Sequence, residues 1–595
     1  MTRQATQIEL QQQAHEVIAA ETAKNLPKEA GGILLGYLES NTVVVTNALT
    51  VESAHATSSQ YVRDDMLANK LLQEFLTQRA DDDPTGYVGE WHSHPAPKGP
   101  SSTDLESIRA IARTSEGPVA LIVHATSDTA PFHGVVSQRQ LFRRVIIDPV
   151  PVVLPESRFQ PLGPLPANAV HGDGPVFISY RQADGTQQAK RLEHLLRAAG
   201  LVVWRDYRDL RAGTTTDRLE QALTQGLSAA VLVVTPDIAY SEVVRERELP
   251  RLLQLDEHPN FSLSIANAVG RPGSTSKCDY DAPDRLLRLA PHRTLGDKKQ
   301  SNMLDAGGEL EIVRDLLMHR IEQRTASIRA EERAFTIRTQ TRPMPFALDA
   351  ADEDLHIRLS PAPAGRLPGA EGLHLLRMTL PLVSDAIYAA RAPRVQILGG
   401  AHLSIALALG AGLPGTKFGT VEAIDTRSET WSSEIHSDDP MNNVISIEEV
   451  GQALGNGGDK VAIFVTLTPA ADRTAFERLV SQSAADFTRA VVLTSTTTEI
   501  DPREAGRLSE SIAQHIKQLA AESGRAEVHL AFHGPYTMAV LIGRHLNTVR
   551  TVVYEWENID IPSYVPTLAL EPGGTDGPIV DVMLEMEDTK KHQTS

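Results

Sequence analysis

The chain has 595 residues, with 57 Lys and Arg against 76 Asp and Glu, a net charge of −19. That length suggests three or four domains, each with its own core, and the acidic surplus argues against nonspecific binding of duplex nucleic acid while leaving room for a small anionic ligand in a local pocket. A single cysteine, Cys278, excludes a disulfide framework and a thiolate metal cluster.

The opening MTRQATQIELQQQAHEV reads as polar and helical, without the apolar centre of a signal peptide. No apolar run approaches ~20 residues, so no membrane partner is expected and the chain reads as soluble and cytoplasmic. A first domain over 1–150 centres on YVGEWHSHP, Tyr87–Pro95. On a strand, alternate side chains share a face, so His92 and His94 point the same way at the spacing of two ligands to one metal. Ser101-Ser102-Thr103-Asp104 then caps the helical run LESIRAIAR and presents Asp104 in its first turn. Two imidazoles and a carboxylate leave a fourth zinc position open. Upstream, Glu29 opens EAGGILLG just ahead of a strand.

Glu29, His92-Ser93-His94-Pro95 and Ser101-x-x-Asp104 resemble the signature of the JAMM (MPN/JAB) metalloproteases, hydrolases of peptide or isopeptide bonds that often act next to ubiquitin-like tails. The resemblance implies that His92, His94 and Asp104 bind Zn2+, that Glu29 is the general base for the water the metal activates, and that Ser101 donates a hydrogen bond to the oxyanion. Six residues separate His94 from Ser101, where many members have seven.

Residues 151–173 are proline-rich and read as a linker. From 174 to 270, β-branched apolar runs alternate with amphipathic helical segments, the pattern of a doubly wound parallel sheet, whose ligands sit beyond the carboxyl ends of the strands. Tyr180 and Arg181 follow VFIS, Asp206 follows LVVW, and Thr235-Pro236 follow AAVLVV. The phrase FISYR, the Trp204-x-Asp206 pair with a loop ending LRAG, and the Ser241-led helix with Glu248-Leu249 resemble a TIR domain. Many bacterial TIR domains cleave NAD+ at the nicotinamide–ribose bond with one glutamate, which suits the stabilisation of an oxocarbenium-like sugar. The resemblance implies Glu248 as the catalytic residue, with Tyr180, Arg181, Trp204, Asp206 and Ser241 at the NAD+ site. The helical wheel does not choose between Glu248 and Glu246. A further strand is expected in FSLSIANAV, and 271–335 reads as a linker and a long helix.

The last half carries an internal repeat. RVQILGGAHLSIALALGAGL and EVHLAFHGPYTMAVLIGRHL align at an offset of 528 − 395 = 133, which pairs Ser404 with Thr537, Gly410 with Gly543 and Glu422 with Glu555. Each copy is a strand, a small-residue turn and an apolar helix whose N-terminus offers free N–H groups to an anion. These phrases and TVVYEWEN resemble a SAVED domain over 336–575, a pair of fused CARF-like, Rossmann-like units that senses cyclic oligonucleotides in bacterial antiphage (CBASS) defence. The resemblance implies His402, Ser404, His533, Gly534 and Tyr536 near the ligand, with Lys417 or Arg358 offsetting phosphate charge. Residues 576–595 read as a loose acidic tail.

The expected fold class is multidomain α/β: a JAMM metalloprotease fold, a flavodoxin-like TIR domain and a SAVED sensor. The expected function is a cyclic-oligonucleotide-activated NAD+ glycohydrolase acting in abortive infection as a ligand-induced homo-oligomer or filament. The alternative makes the JAMM protease the output, with a ubiquitin-like or other protein substrate and the TIR domain as scaffold. A shift from mostly off to mostly on needs ~5 kcal/mol of differential ligand binding.

Overall fold

In the computed structural model the chain divides into two units, Met1–Leu162 and Gly163–Ser595. The structure describes residues 5–585 apart from 40, 78–84, 116, 127–130, 140–144, 155–162, 206–221, 242, 272–273, 275–276, 288–294, 343–352, 361–366, 436–444, 451–457, 469–470, 498, 547, 559–560, 572 and 575.

The first unit is one mixed sheet. Strands β1 (Gln7–Leu10), β2 (Gly31–Glu39), β3 (Thr42–Thr50), β4 (Gly86–His94), β5 (Val119–Ala125), β6 (Phe132–Arg139), β7 (Val145–Val150) and β8 (Val152–Val153) lie in the order β7-β6-β5-β4-β2-β3-β1-β8. Helices α1 (Gln12–Asn25), α2 (Asp65–Thr77) and α3 (Ser102–Thr114) cover it. The period of two sorts its core: Leu34, Val43, Val45, Trp91 and Ile122 join one cluster, while Ile33 and Leu35 pack with Ala68 of α2 and Leu121 and Val123 pack with Ile108 of α3. The opening segment, expected to be helical, starts as a strand instead. Ile8 and Leu10 share a face and bury it by parallel pairing with β3, in register Ile8↔Val43 and Leu10↔Val45.

The second unit begins with an all-parallel sheet: β9 (Val176–Ser179), β10 (Val203–Trp204), β11 (Ala229–Val234), β12 (Ser262–Asn267) and β13 (Gln300–Asn302), in the order β10-β9-β11-β12-β13. Helix α4 (Thr186–Ala198) covers Val176, Ile178, Val231 and Val233, and helix α5 (Leu249–Asp256) covers Phe177, Leu232 and Val234 on the other face. Leu165 and Val170 of the proline-rich connector pack on this second face. Strand β13, inside the segment read as linker and helix, is three residues long, too short to announce itself by alternation.

Helix α6 (Gly308–Ala330) follows and buries Ile312, Val313, Leu316, Leu317 and Ile321 in a core continuous with both this parallel sheet and the half of the chain that follows. It is therefore a packing helix and a joint at once. Two further sheets follow. The first holds β14 (Phe335–Gln340), β15 (Leu355–Arg358), β16 (Arg394–Gly400), β17 (Thr420–Ile424) and β18 (Thr430–Ser432), ordered β15-β14-β16-β17-β18. The second holds β19 (Ile445–Glu449), β20 (Lys460–Thr466), β21 (Phe487–Ser495), β22 (Glu527–His533), β23 (Thr551–Glu557), β24 (Ser563–Leu570) and β25 (Ile579–Val582), ordered β19-β21-β20-β22-β23-β24-β25.

The repeat explains how these sheets join. After α7 (Ala370–Ala390), the two equivalent helices α8 (Leu403–Gly412) and α9 (Tyr536–His545) pack on each other. A β-carbon at Gly410 would overlap the Val540 carbonyl, and one at Gly543 would overlap the Leu407 carbonyl. The offset of 133 carries 410 onto 543 and 407 onto 540, so the contact is isologous, as across a two-fold axis. Only glycine permits this backbone approach. Gly410→Ala and Gly543→Ala should each cost about 1–3 kcal/mol of stability and lower the melting temperature by similar amounts. Gly400→Ala, which meets nothing within 4 Å, should leave it unchanged; equal effects of all three in thermal melts would contradict the shared contact.

Candidate functional site

Three sites emerge, one in the first unit and two in the second. In the first, β4 carries His92 and His94 onto one face, with their Nε2 atoms 3.2 Å apart. Asp104 Oδ2 lies 3.4 Å from His92 Nε2 and 3.6 Å from His94 Nε2. Ligand atoms around a tetrahedral zinc, at bonds near 2.0 Å, sit about 3.3 Å from one another, so this donor set fits such an ion, and it forms a cluster able to hold one. His94 Nδ1 donates to the Lys98 carbonyl at 2.8 Å, which fixes the tautomer and leaves Nε2 as the donor to a metal. Ser101 caps α3: its hydroxyl oxygen accepts from Asp104 N, while Asp104 Oδ2 accepts from Ser101 N at 2.6 Å. The helix cap thus orients the Asp104 carboxylate. Burial pushes Asp104 up, but the hydrogen bond and charge of His92 and the bonds from Ser101 outweigh it and leave the carboxyl at about 2.

Glu29 is buried, with Oε1 3.9 Å from His94 Nε2. Burial raises its pKa above the ordinary carboxyl value, against the lowering influence of His94 and His92. Its place depends on Ser93, the residue between the histidines. Ser93 faces away from them, accepts from Ala30 N at 2.9 Å and donates its own N–H to Ala30 O at 2.7 Å. Sequence reasoning passed over Ser93, although strand parity puts it on the opposite face from the ligands.

At the carboxyl ends of the TIR-like strands, Glu248 is buried and accepts a hydrogen bond from the Ser179 hydroxyl, whereas Glu246 is exposed. Backbone geometry separates the two. Pro250 has no N–H to continue the ladder, the helix widens into a π-type turn over Val244–Glu248, and Leu249 N bonds Val244 O. Burial raises the Glu248 pKa to about 7, with the Ser179 bond pulling the other way. Trp204 pairs with Phe177 across the strands and packs against the core cluster on the face that carries Ser179. Ser241 accepts from Val244 N at 3.4 Å and starts the helical turn, and Arg181 pairs with Asp184 and Asp237 at 3.3 and 3.7 Å. Thr235, at the end of β11, is buried with its hydroxyl unpartnered among the described residues.

Tyr180 differs from expectation. One residue beyond Ser179, it falls on the opposite face by strand parity, in the core with Ile178 and Leu192 and under the Arg205 guanidinium. Ser179, not Tyr180, reaches the glutamate. Asp206 lies outside the described residues, as does the Tyr207–Gly213 loop.

The sensor half holds a cavity of about 550 Å3 lined by Arg342, Leu403, Asp472, Phe532, His533, Glu555, Trp556 and Tyr564, within the size range of small-ligand pockets. Of its three aromatic residues Trp556 is exposed, while Phe532 and Tyr564 are largely buried. Sequence reasoning placed His533 here but missed Arg342, Phe532, Trp556 and Tyr564, although Trp556 lies inside TVVYEWEN. Gly534 adjoins the cavity, where a β-carbon would press on the Phe532 ring at 2.8 Å.

The expectation of two open helix N-termini is corrected. Glu555, from the second copy, accepts from Ser404 N and Ser404 Oγ at 2.7 and 2.8 Å, so the N-terminus of α8 already holds a carboxyl group of the chain's own. Burial raises the Glu555 pKa, opposed by those bonds and by the charge of Arg342. The equivalent Glu422 instead bonds Gln396 at 3.1 Å, and the hydroxyl of Thr537, equivalent to Ser404, has no partner among the described residues. His402 is buried, with Nδ1 2.9 Å from the Thr341 hydroxyl. Tyr536 OH lies 2.8 Å from the Thr339 hydroxyl, and burial raises its pKa. Lys417 is corrected as well: it follows the C-terminal end of α8, 2.7 Å from Asp385 and over the Tyr388 ring, because the helix carries it away from the strand ends. Arg358 lines a separate cavity at the edge of the first sensor sheet.

Three family models match the chain: prokaryotic homologs of the JAB domain over residues 11–139, the TIR domain over 176–266, and the SMODS-associated and fused to various effectors sensor domain (SAVED) over 375–570. The chain is a multidomain α/β protein carrying a JAB, a TIR and a SAVED domain, in that order. Among solved structures it is similar to the Acinetobacter baumannii Cap4 SAVED/CARF-domain containing receptor with the cyclic trinucleotide 2'3'3'-cAAA, at 13% identity and TM-score 0.33 over 60% of this chain and 86% of that one. It is also similar to the same receptor with 3'3'3'-cAAA, at 12% identity and TM-score 0.33 over 73% and 91%, and to protein DSY2949 from Desulfitobacterium hafniense, at 17% identity and TM-score 0.19 over 25% and 92%. No curated protein matches the chain. Among the described residues no helix is long and apolar enough to cross a membrane.

Glu248 gives a pH prediction. Its folded pKa of about 7 lies above the ordinary 4.5, so the folded chain holds its proton more tightly, and the stability from the protonated form is lost as pH rises from 4.5 through 7. Glu248→Gln should gain on the wild type by up to about 3 kcal/mol between pH 5 and pH 8. Paired melts check this; a stability difference independent of pH would contradict it.

Proposed function

We propose that the chain is a cyclic-oligonucleotide-gated NAD+ glycohydrolase of cytoplasmic antiphage (CBASS-type) defence, with the SAVED half as sensor, the TIR domain as effector and the JAB domain as a zinc peptidase or isopeptidase. The observation that carries this reading is Glu248, buried against Ser179 at the carboxyl ends of the TIR strands, in the same unit as the aromatic-lined sensor cavity. In the reaction the bond between nicotinamide and the ribose anomeric carbon breaks and its electron pair leaves with the nicotinamide. Water takes the carbon and releases a proton, giving ADP-ribose. Glu248 as carboxylate stabilises the positive sugar, with Ser179 holding its orientation. Arg181 faces the phosphates, while Trp204 and Ser241 shape the pocket on the Glu248 face. Tyr180 supports α4 from the other face. Ligand-driven assembly into a homo-oligomer or filament completes the site, and loss of NAD+ halts the infected cell.

In the sensor, Trp556 stacks a base beside Phe532 and Tyr564, and His533 and Arg342 meet phosphate. Purified protein mixed with cyclic di-, tri- and tetranucleotides should consume NAD+, followed by fluorescence, only when one of these is present. Glu248→Gln should lower the rate about 100-fold or more, and His92→Ala should keep it. NAD+ left intact under every cyclic nucleotide tried would contradict the reading.

A second reading makes the JAB domain the output, favoured by a donor set already at ligand spacing. Zinc there supplies a Lewis acid. Glu29 takes a proton from the attacking water, and Ser101, whose hydroxyl proton is not used in the cap, faces the oxyanion. Equilibrated with zinc and desalted, the chain should retain roughly one equivalent, in keeping with a site of three protein ligands. His92→Ala should retain much less; equal zinc in both would contradict the site. Cellular toxicity that needs His92 and not Glu248 would favour this second reading over the first.

A further inference from the structure

We propose that the cavity where TIR helix α4 meets the edge strand of the sensor is a phosphate-binding site, so that the effector domain supplies part of the messenger's own binding surface. The proposal rests on the sensor reading above and adds to it a direct contact between ligand and effector.

The cavity measures about 190 Å3, several times the ~30 Å3 share of one water. His194 and Arg197 come to it from α4. Gln340, Arg342, Arg358 and Ser360 come from the carboxyl ends of β14 and β15 and the turns after them. Among the described residues that line it there is no carboxylate. Glu193 and Glu371, outside the lining, pair with Arg197 at 3.0 Å and with His194 at 3.1 Å. Those pairs hold the two side chains in place, so less ordering cost falls on a ligand. Buried His356, on β15, is held down to about 4 by burial first and then by the charge of Arg358, with Glu353 pulling the other way. Guanidinium groups converging on a small polar cavity suit the oxygens of a phosphate group.

The wall between the domains is built to close approach. His356 N donates to Gly200 O at 2.7 Å, so the turn after α4 extends the edge of the sensor sheet. Gly200 has φ +94°, and a β-carbon there would lie 2.8 Å from Leu355 Cβ. Arg342 lines both this cavity and the 550 Å3 sensor cavity. A cyclic oligonucleotide with its bases among Phe532, Trp556 and Tyr564 therefore has Arg342 as a bridge to a second phosphate position, where α4 meets it. Binding energy spent at Arg197 and His194 depends on where the TIR domain sits, which is what a ligand needs in order to bias that position.

The test is calorimetric titration of the full chain with cyclic di- and triadenylate and, in parallel, with inorganic pyrophosphate. The proteins are the wild type, Arg197→Gln, Arg197→Lys, Arg358→Gln and Trp556→Ala, each with a melting temperature matching the wild type. The expected result is that Arg197→Gln, a change in the effector domain, weakens the cyclic nucleotide about tenfold or more, as loss of a charge-assisted hydrogen bond does. Arg358→Gln should do the same, Arg197→Lys should recover part of the loss, and pyrophosphate binding should depend on the same two arginines. Pyrophosphate binding through Arg197 and Arg358 with no cyclic nucleotide bound would support the cavity as a site for free phosphate and sink the sensor reading. Cyclic nucleotide affinity within twofold of wild type in both arginine variants, yet lost in Trp556→Ala, would overturn the junction site and leave the sensor reading standing. No binding of either probe overturns both.

Discussion

Asp354 is the charge on which the geometry of the second unit turns. Its side chain is fully buried, and it accepts from Arg333 Nη1 and Nη2 at 2.7 and 2.8 Å and from Thr336 N at 2.8 Å. Arg324, near the end of α6, lies 3.6 Å from it and also pairs with Asp173 at the entry to the TIR sheet. One turn earlier Arg320 donates to the Gly174 carbonyl. A buried carboxylate stripped of one partner costs about 3–5 kcal/mol. Helix α6 is thus tied at one end both to the residues that lead into the first TIR strand and to the sensor's edge strand.

Two carboxylates show how environment assigns different chemistry to like groups. Asp104 receives Ser101 N–H and the imidazole of His92 and sits at about 2, an anion ready to ligate. Among the described residues Glu248 has only the Ser179 hydroxyl against its burial and sits at about 7. A group at that value gains charge readily when a positive charge is brought near it, since an opposite charge favours the ionised form. The same balance of burial against hydrogen bonding governs Glu555, whose carboxyl group stands where a phosphate would at the N-terminus of α8.

What was legible in the sequence was local. His92 and His94 share a face because a strand repeats every two residues, and Ser101 reads as a cap because Asp104 follows at the spacing of a capping box. The repeat at offset 133 exposed Gly410 and Gly543 as equivalent, and the structure adds that they touch each other's helices. The contrast between buried Glu248 and exposed Glu246 comes with the turn before Pro250, which a regular helical wheel does not contain. What stayed hidden depends on contacts far apart in the chain. Nothing near Ser404 says that Glu555, 151 residues on, caps it. Tyr180 was misplaced because the strand ends at Ser179 and its parity continues one residue further. Lys417, expected to offset phosphate charge, is carried by the length of α8 to the end away from the strand tips. Arg342 and Arg358 gather with Arg197 only because the edge of one domain's sheet meets a turn of another.

The central claim is that occupancy of the sensor and occupancy of the TIR site are coupled, and coupling is reciprocal by thermodynamic necessity. The most direct measurement is the affinity of the full chain for an activating cyclic oligonucleotide with and without a saturating, non-cleavable NAD+ analogue. The account predicts tighter binding of the oligonucleotide when the analogue is present, by roughly fivefold or more, the range of ordinary allosteric coupling. Identical affinities under the two conditions would contradict it.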